Sequence, residues 1–340
     1  MGVVNTTTTI SGDDLALLEA RIATEQQQIF NSKAVLSSLG LNIVKPLAGN
    51  EKSQTWHWEG FGTGSMLPKA KGTARTRSTT AKGSKTIAFD GVEYYTEGYD
   101  WFDSSHFPTW GVLQNSVRRG TQKYLDKLET RLTILLAAAA QGASESGTHS
   151  GGVYKQITGG STVAARYPAS NTGAEQFDTD VAEVDAAFMA RQEVLGQNKV
   201  MITTPYIARQ VITKSDKFMS RDYNTNAVYP NGTFIGNYGN YPVMVSRYLT
   251  AIQNVNNNTD NVSKYQLDCT YASGTKLGAP AALFAYYDAN YSPIGTTRSY
   301  APTTQVWYET DEDENVAGIK SLEGHDTLHV WNAGGIFIHT

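Results

Sequence analysis

The sequence predicts an α+β fold carrying a projecting finger, and three observations predict it. Two long runs repeat apolar residues at three-and-four spacing, as amphipathic helices do. Shorter runs alternate, or cluster β-branched and aromatic residues, as strands do. Between two of these strand-like runs lies a basic stretch with too few apolar residues to bury itself. The 340 residues are enough for a large core without disulfide or metal staples. With 40% hydrophobic and only 18% charged residues, the balance is the reverse of what disorder requires.

In order along the chain, a polar leader precedes Ser11 and Asp14, which stand in capping-box spacing. Leu15, Leu18, Ile22, Ile29 and Val35 follow as a thin apolar stripe, and Gly40 is placed to end this helix in a left-handed conformation. From Glu51 to Asp103, Trp56, Trp58 and Phe61 open a stretch that Ile87, Phe89, Val92, Tyr94 and Tyr95 close, with strand-like alternation at both ends. Its middle holds Lys69, Lys71, Arg75, Arg77, Lys82 and Lys85 and no acidic residue, so it reads as a long two-stranded finger whose tip leaves the body. A long helix is expected over 108–142, with Leu113, Val117, Tyr124, Leu128, Leu132, Leu135 and Ala139 on one face and Gly120 marking a close contact or a bend. A Gly/Ser-rich loop separates it from a second helix over 175–195, stopped by Gly196. KVMITT then reads as a buried strand, with Thr204 as N-cap and Pro205 as first helical residue of YIARQVITK. FIGNYGNYPVMVSRYL, ALFAYYD, TTQVWYET and TLHVWNAGGIFIH read as strands and turns.

Charge and motifs exclude most chemistry. With Lys plus Arg at 28 and Asp plus Glu at 32, the net charge of −4 is not that of a dedicated nucleic-acid binder. The single Cys269 can form neither an internal disulfide nor a Cys-rich zinc site. No apolar run approaches the roughly 20 residues of a membrane helix, and no secretory leader is expected. Gly2 with Thr6 fits a loose myristoylation pattern but has no basic patch behind it. Gly60, Gly62 and Gly64 lack the strand-before, helix-after setting of a nucleotide loop. Asp311, Asp313 and Asn315 imitate a calcium loop, yet Val316 and Leu322 stand where glycine and glutamate are needed. His325 and His329 have metal spacing only on a helix; in a strand they share a face about 13 Å apart and are ordinary polar sites of a sheet. Asp13, Asp14, Asp178 and Asp180 sit in first turns of expected helices, where the macrodipole favours them. No catalytic residue, metal ligand or cofactor is therefore expected, and the elaborate features are surfaces for touching other chains.

The order of elements, together with VMITTPYIARQV, GNYGNYPVMVSRYL and EGHDTLHVWNAGG, resembles the tailed-bacteriophage major capsid proteins of the Hong Kong 97 fold, most of all those of short-tailed phages. The resemblance implies an N-terminal arm over 1–50, an extended E-loop over 51–100, and a P-domain over 101–196 with spine helix 108–142. It further implies an A-domain over 197–302 and returning P-domain strands over 303–340. It implies that identical subunits form hexamers and pentamers of an icosahedral shell around double-stranded DNA, in a virion assembled in the host bacterial cytoplasm. A separate scaffolding protein and a portal would be partners, and DNA contact would be weak and non-specific.

An extended finger needs a partner, because ordering costs roughly 1–2 kcal/mol per residue. Its Lys69, Lys71, Arg75, Arg77, Lys82 and Lys85 are expected to contact another subunit, with Asp311, Glu312, Asp313 and Glu314 as candidate acidic partners. An encapsulin-like cargo shell shares the fold. A carbohydrate-binding tail-associated β-protein would explain the Tyr and Trp content but leaves the long helix and arm unexplained. A hydrolase has no supporting constellation.

Overall fold

The run 279–285 is apolar without alternation and buried throughout, so it requires a packed layer on each side. The computed structural model describes residues 34–47, 51–60, 81–100, 109–144, 149–158, 162–191, 196, 198–220, 234–254, 260–267, 269, 277–309 and 314–339. Its strands are β1 (Asn42–Pro46), β2 (Ser53–Glu59), β3 (Lys82–Ala88), β4 (Val92–Asp100), β5 (Val153–Thr158), β6 (Asn198–Thr203), β7 (Phe218–Ser220), β8 (Phe234–Tyr238), β9 (Tyr241–Val245), β10 (Ala279–Tyr287), β11 (Ile294–Glu309), β12 (Glu314–Thr327) and β13 (Ala333–His339). Its helices are α1 (Thr109–Ala140), α2 (Val163–Arg166), α3 (Asn171–Met189) and α4 (Arg247–Asn254).

Strand β10 lies in a seven-stranded mixed sheet of order β5-β13-β10-β6-β9-β8-β7. Because successive side chains point to opposite faces, the sheet feeds two cores. Val200, Ile202, Leu283 and Phe337 face α1 and α4, meeting Leu128, Leu132, Leu135, Leu249 and Ile252. Met201, Phe284, Ile336 and Ile338 face α3, meeting Phe177, Val181, Val184 and Phe188. At 32 residues α1 spans about 48 Å, long enough to serve a second sheet as well. That four-stranded sheet has the order β1-β11-β12-β4 and lies across the first half of α1. Gly120 marks the close contact anticipated for it: an added Cβ would come within 3.0 Å of Tyr95 Cδ1 and 3.3 Å of Ile319 Cγ2.

The finger's base is a two-stranded antiparallel ribbon with Ser53 opposite Ala88 and Glu59 opposite Lys82. Period two explains it: Trp56, Trp58 and Ile87 turn inward and are buried in the α1-side core, while Thr55 and Thr86 turn outward and join hydroxyls at 2.8 Å. Trp58 packs edge-on to His329 and against Trp331, on which His149 stacks at 3.8 Å. The ribbon's end lies so close to the four-stranded sheet that a Cβ at Gly324 would meet the Ala88 carbonyl oxygen at 1.9 Å. Residues 92–100 do not extend this ribbon, although their alternation suggested it; they pair with β12, Val92 opposite Leu322 through Asp100 opposite Glu314.

Other elements differ from expectation for local reasons. The second helix starts earlier, where the Ser170 hydroxyl accepts from Gly173 N–H, and it ends at Met189, well before Gly196. Just beyond it, the Arg191 guanidinium turns back to the carbonyls of Gly151 and Gly152. Thr204 Oγ1 accepts from Ile207 N–H at 3.2 Å as an N-cap should, and the chain is helical from Pro205 to Lys214 as expected, although it widens over Ile207–Val211 and tightens over Ile212–Lys214. Residues 247–254, read as part of a strand-and-turn run, form a helix because Tyr248, Leu249 and Ile252 share one buried face. The final run is also not one strand: β12 ends at Thr327, a tight turn over Val330–Asn332 follows, and β13 inserts into the seven-stranded sheet between β5 and β10. The expected helix over 11–40 lies mostly outside the described residues; its end is a buried turn closed by Gly40 at φ +68°, as anticipated.

Candidate assembly surfaces and the junction behind them

Of the cations expected on the finger, Lys69, Lys71, Arg75 and Arg77 lie outside the described residues, as do Asp311, Glu312 and Asp313. Lys82 is exposed at the outer end of β3, opposite Glu59. Lys85 is held within its own chain, with Nζ 3.1 Å from Asp326 Oδ1 and donating to Thr327 Oγ1 at 2.7 Å. Glu314 opens β12, opposite Glu309 and Asp100 in the backbone register. The acidic turn expected to receive them, 311–314, has no described side chain.

What the fold does bring together is a polar junction where β4 and the turn before it, α1, β11, β12 and the 260–265 loop meet. Arg131, only 4% exposed, bonds Asp260 through Nε (2.7 Å) and Nη2 (2.8 Å) and reaches Glu93 at 2.5 Å. Lys127 also reaches Glu93, at 3.1 Å. Lys264 pairs with Asp90 at 2.5 Å, and the Tyr265 hydroxyl donates to the same carboxylate. Glu323 receives Arg298 Nε (2.5 Å) and the Tyr124 hydroxyl (2.8 Å). Four carboxylates thus meet four cations, the condition under which buried charge is tolerable.

The electrostatics follow from that pairing. Burial opposes the Arg131 charge, but the Asp260 hydrogen bonds and the Glu93 charge hold its pKa above the ordinary arginine value. Burial would raise Asp260, and the Arg131 hydrogen bonds win, leaving it below the usual carboxylate range. Burial wins at Glu323, whose carboxyl is raised despite Arg298 and Tyr124. His325 is fully enclosed; burial, then the Arg131 charge, push it down to about 3. Its ring is neutral at pH 7, so the 3.5 Å approach to Glu323 is no ion pair, and Nδ1 instead shares a 2.8 Å hydrogen bond with Thr296 Oγ1. His329 is pushed down to about 4 by burial, and its Nδ1 accepts from Ser292 N–H at 3.0 Å. The two histidines are buried structural groups rather than ordinary polar sites of a sheet surface.

Sequence reading missed this junction, although α1 carried one legible signal: Glu129 and Arg131 interrupt the series Leu125, Leu128, Leu132, Leu135. The cavity between Glu93, Tyr124, Leu128, Arg131, Ser321, Glu323 and His325 measures about 10 Å³, room for about one water and far below the roughly 300–1,000 Å³ of a small-molecule site. Among the described residues, no group of three or more His, Cys, Asp or Glu could hold a metal ion.

The outside of the molecule is more telling. The large apolar side chains exposed among the described residues are Val44, Val92, Tyr94, Tyr154, Met189 and Met219. All except Met189 sit on strands at the edges of the two large sheets: β1 and β4 of one, β5 and β7 of the other. An edge with exposed apolar groups is a template for pairing with another chain.

No protein-family model matches the sequence, and no curated protein matches it. Solved structures do. The capsid structure of cyanophage P-SCSP1u superposes with a TM-score of 0.65 at 13% identity, covering 90% of this chain and 89% of that one. The mature capsid of bacteriophage PhiM1 gives 0.61 at 12% identity, covering 88% and 86%. The capsid of Ralstonia phage GP4 gives 0.56 at 11% identity, covering 90% and 89%. The chain has the mixed helix-and-sheet fold of phage capsid subunits, as the Hong Kong 97 resemblance implied.

Proposed function

We propose that this chain is the major capsid protein of a tailed bacteriophage, whose copies build the icosahedral shell that encloses the genome. The observation that carries this reading is the agreement in fold over about nine-tenths of this chain and of the phage capsid subunit it resembles. Sheet edges that expose apolar side chains among the described residues support it, since a shell supplies partners for such edges. The buried positions of Trp56, Trp58 and Trp331 count against sugar-stacking platforms and so against the carbohydrate-binding alternative.

Within this reading, β2, β3 and the segment between them form the E-loop, and its basic tip lies on the next subunit. Helix α1 with the four-stranded sheet forms the P-domain. The seven-stranded sheet with α3 and α4 forms the A-domain, around which hexamers and pentamers close; α3 and β13, given to the P-domain by the resemblance, are assigned here to the sheet they pack with. The chain acts structurally, without catalysis, in the virion. A separate scaffolding protein and a portal take part in assembly in the bacterial cytoplasm, and packaged DNA touches the shell weakly. No helix among the described residues is long and apolar enough to cross a membrane.

Negative-stain microscopy of the purified protein, alone and co-expressed with the neighbouring phage structural genes, tests the reading. Closed shells or capsomer rings are expected. A monodisperse monomer under both conditions would overturn it.

A further inference from the structure

Strand β4, VEYYTEGYD, is unlike the other sheet edges. Edge strands are normally blunted by charged side chains, lysine above all, by a proline, a bulge or short length. Strand β1 carries Lys45 and Pro46, β5 carries Lys155, and β7 has three residues. Strand β4 has nine residues, no Lys, Arg or Pro, and an unbroken register against β12. It also carries the two most solvent-open apolar residues on either edge of its sheet, Val92 at 56% and Tyr94 at 76% exposure.

Its inward carboxylates are already neutralised within the chain. Glu93 is held by Arg131 and Lys127, and Glu97 by Arg119 at 2.5 Å and the Ser116 hydroxyl. The outward face, Val92, Tyr94, Thr96 and Gly98, is uncharged and exposed. What remains to recognise a partner is backbone and an uncharged, partly aromatic surface.

We propose that two copies of this chain join edge to edge through β4, antiparallel and centred on Thr96, about a local twofold axis. In that register Thr96 faces Thr96, Tyr95 faces Glu97, Glu93 faces the tyrosine at 99, and each Tyr94 covers the partner's Gly98. No like charges are opposed, and a large side chain stands over a small one at each end, as cross-strand pairing favours. Centring one residue earlier opposes Glu93 to Glu97, and one residue later opposes Glu97 to itself; both place like charges directly opposite. The sequence of β4 thus selects its own register, which a strand with one patterned face requires. A twofold contact of this kind is self-complementary and closes without leaving a free edge. The inference deepens the shell reading by naming one contact between copies, and rests on it only for the number of copies brought together.

Full-length Thr96→Cys protein, mildly oxidised as purified and as particles, tests the proposal on non-reducing gels. Facing Cβ atoms about 4.5–5.5 Å apart are near disulfide reach. The native Cys269 is fully buried and stays silent. A covalent dimer is expected for Thr96→Cys and not for Tyr94→Cys, whose facing partner is residue 98. Thr96→Lys, at an exposed position, should keep the wild-type circular dichroism spectrum and weaken self-association at least about tenfold by opposing two lysines. No Thr96→Cys dimer, an equal dimer from Tyr94→Cys, or unchanged association of Thr96→Lys would each overturn the contact. Particles without the cross-link would sink this contact and leave the shell reading standing. A cross-linked dimer that never forms particles would do the opposite.

Discussion

Glu129 is fully buried on α1, where its carboxylate accepts the backbone N–H groups of Leu36 and Ser37 at 3.0 Å and the Ser37 hydroxyl at 2.6 Å. It caps the turn that brings the N-terminal segment onto the core, so Val35, Leu36 and Leu41 depend on it for their place. Glu129→Ala would strand two N–H donors and is expected to lower stability by roughly 1–3 kcal/mol in urea unfolding, with Glu129→Gln costing less because its amide oxygen still accepts. The junction adds a pH dependence whose sign is fixed. His325 and His329 are depressed to about 3 and about 4 against an ordinary value near 6.5, so between those values the unfolded chain binds more protons. Their contribution is complete above pH 6.5 and is lost as pH falls. Burial raises Glu129 and Glu323, which bind protons more readily in the folded chain and work in the opposite direction over the weakly acidic range. The histidine contribution is isolated by difference: melting temperature should fall less steeply between pH 6.5 and 4 in His325→Asn than in wild type. Equal slopes would show that His325 is not the titrating group.

The two-stranded ribbon is held at its base by side chains rather than by length. Trp58 lies against Trp331 and His329 with only 6% of its surface exposed. Trp58→Ala should cost about 3–5 kcal/mol if the ribbon's base belongs to the cooperative core. A calorimetric transition unchanged from wild type would mean that the ribbon opens independently. Helix α1 approaches the four-stranded sheet closely at Gly120, while its second half packs on the seven-stranded sheet. Gly120→Leu should separate α1 from Tyr95 and Ile319 and destabilise by roughly 1–3 kcal/mol in the same assay, the usual penalty of overpacking. Gly120→Ala should be nearly neutral, its gain in helix propensity offset by the 3.0 Å contact.

At the scale of the whole molecule, two sheets share one long helix, and among the described residues no strand pairs with the outer edges of β1, β4, β5 and β7. Charge reversal at Arg75 and Arg77 is expected to reduce shell yield while leaving the melting temperature of the unassembled subunit unchanged, because each exposed pair contributes only about 0.2–1 kcal/mol but recurs in every copy. Shells formed at wild-type yield from the Arg75→Glu, Arg77→Glu double variant would show that the finger's charge has no part in assembly.

Local periodicity was enough to place α1, β6, β10, the ribbon strands β2 and β3 and the turn at Gly40, because an apolar stripe or a strict alternation depends only on nearest neighbours along the chain. The residues from 92 to 100 show where this stops. Their alternation marks them as a strand, but nothing local says whether they pair with β2 or with a strand as distant in the chain as β12, where Val92 meets Leu322. The final run fails likewise, since its division between two sheets is decided by which face of α1 each half meets. Charged residues were the least legible. Arg131, Asp260, Glu93 and Glu323 look like solvated surface when read singly, and become a buried, mutually neutralising set only when four distant segments converge. The order of residues along the chain was enough to show that it folds into helices and strands around a large core. Which strands lie at the sheet edges and which charges are paired emerged from the three-dimensional arrangement alone, because both depend on contacts between residues far apart in the chain.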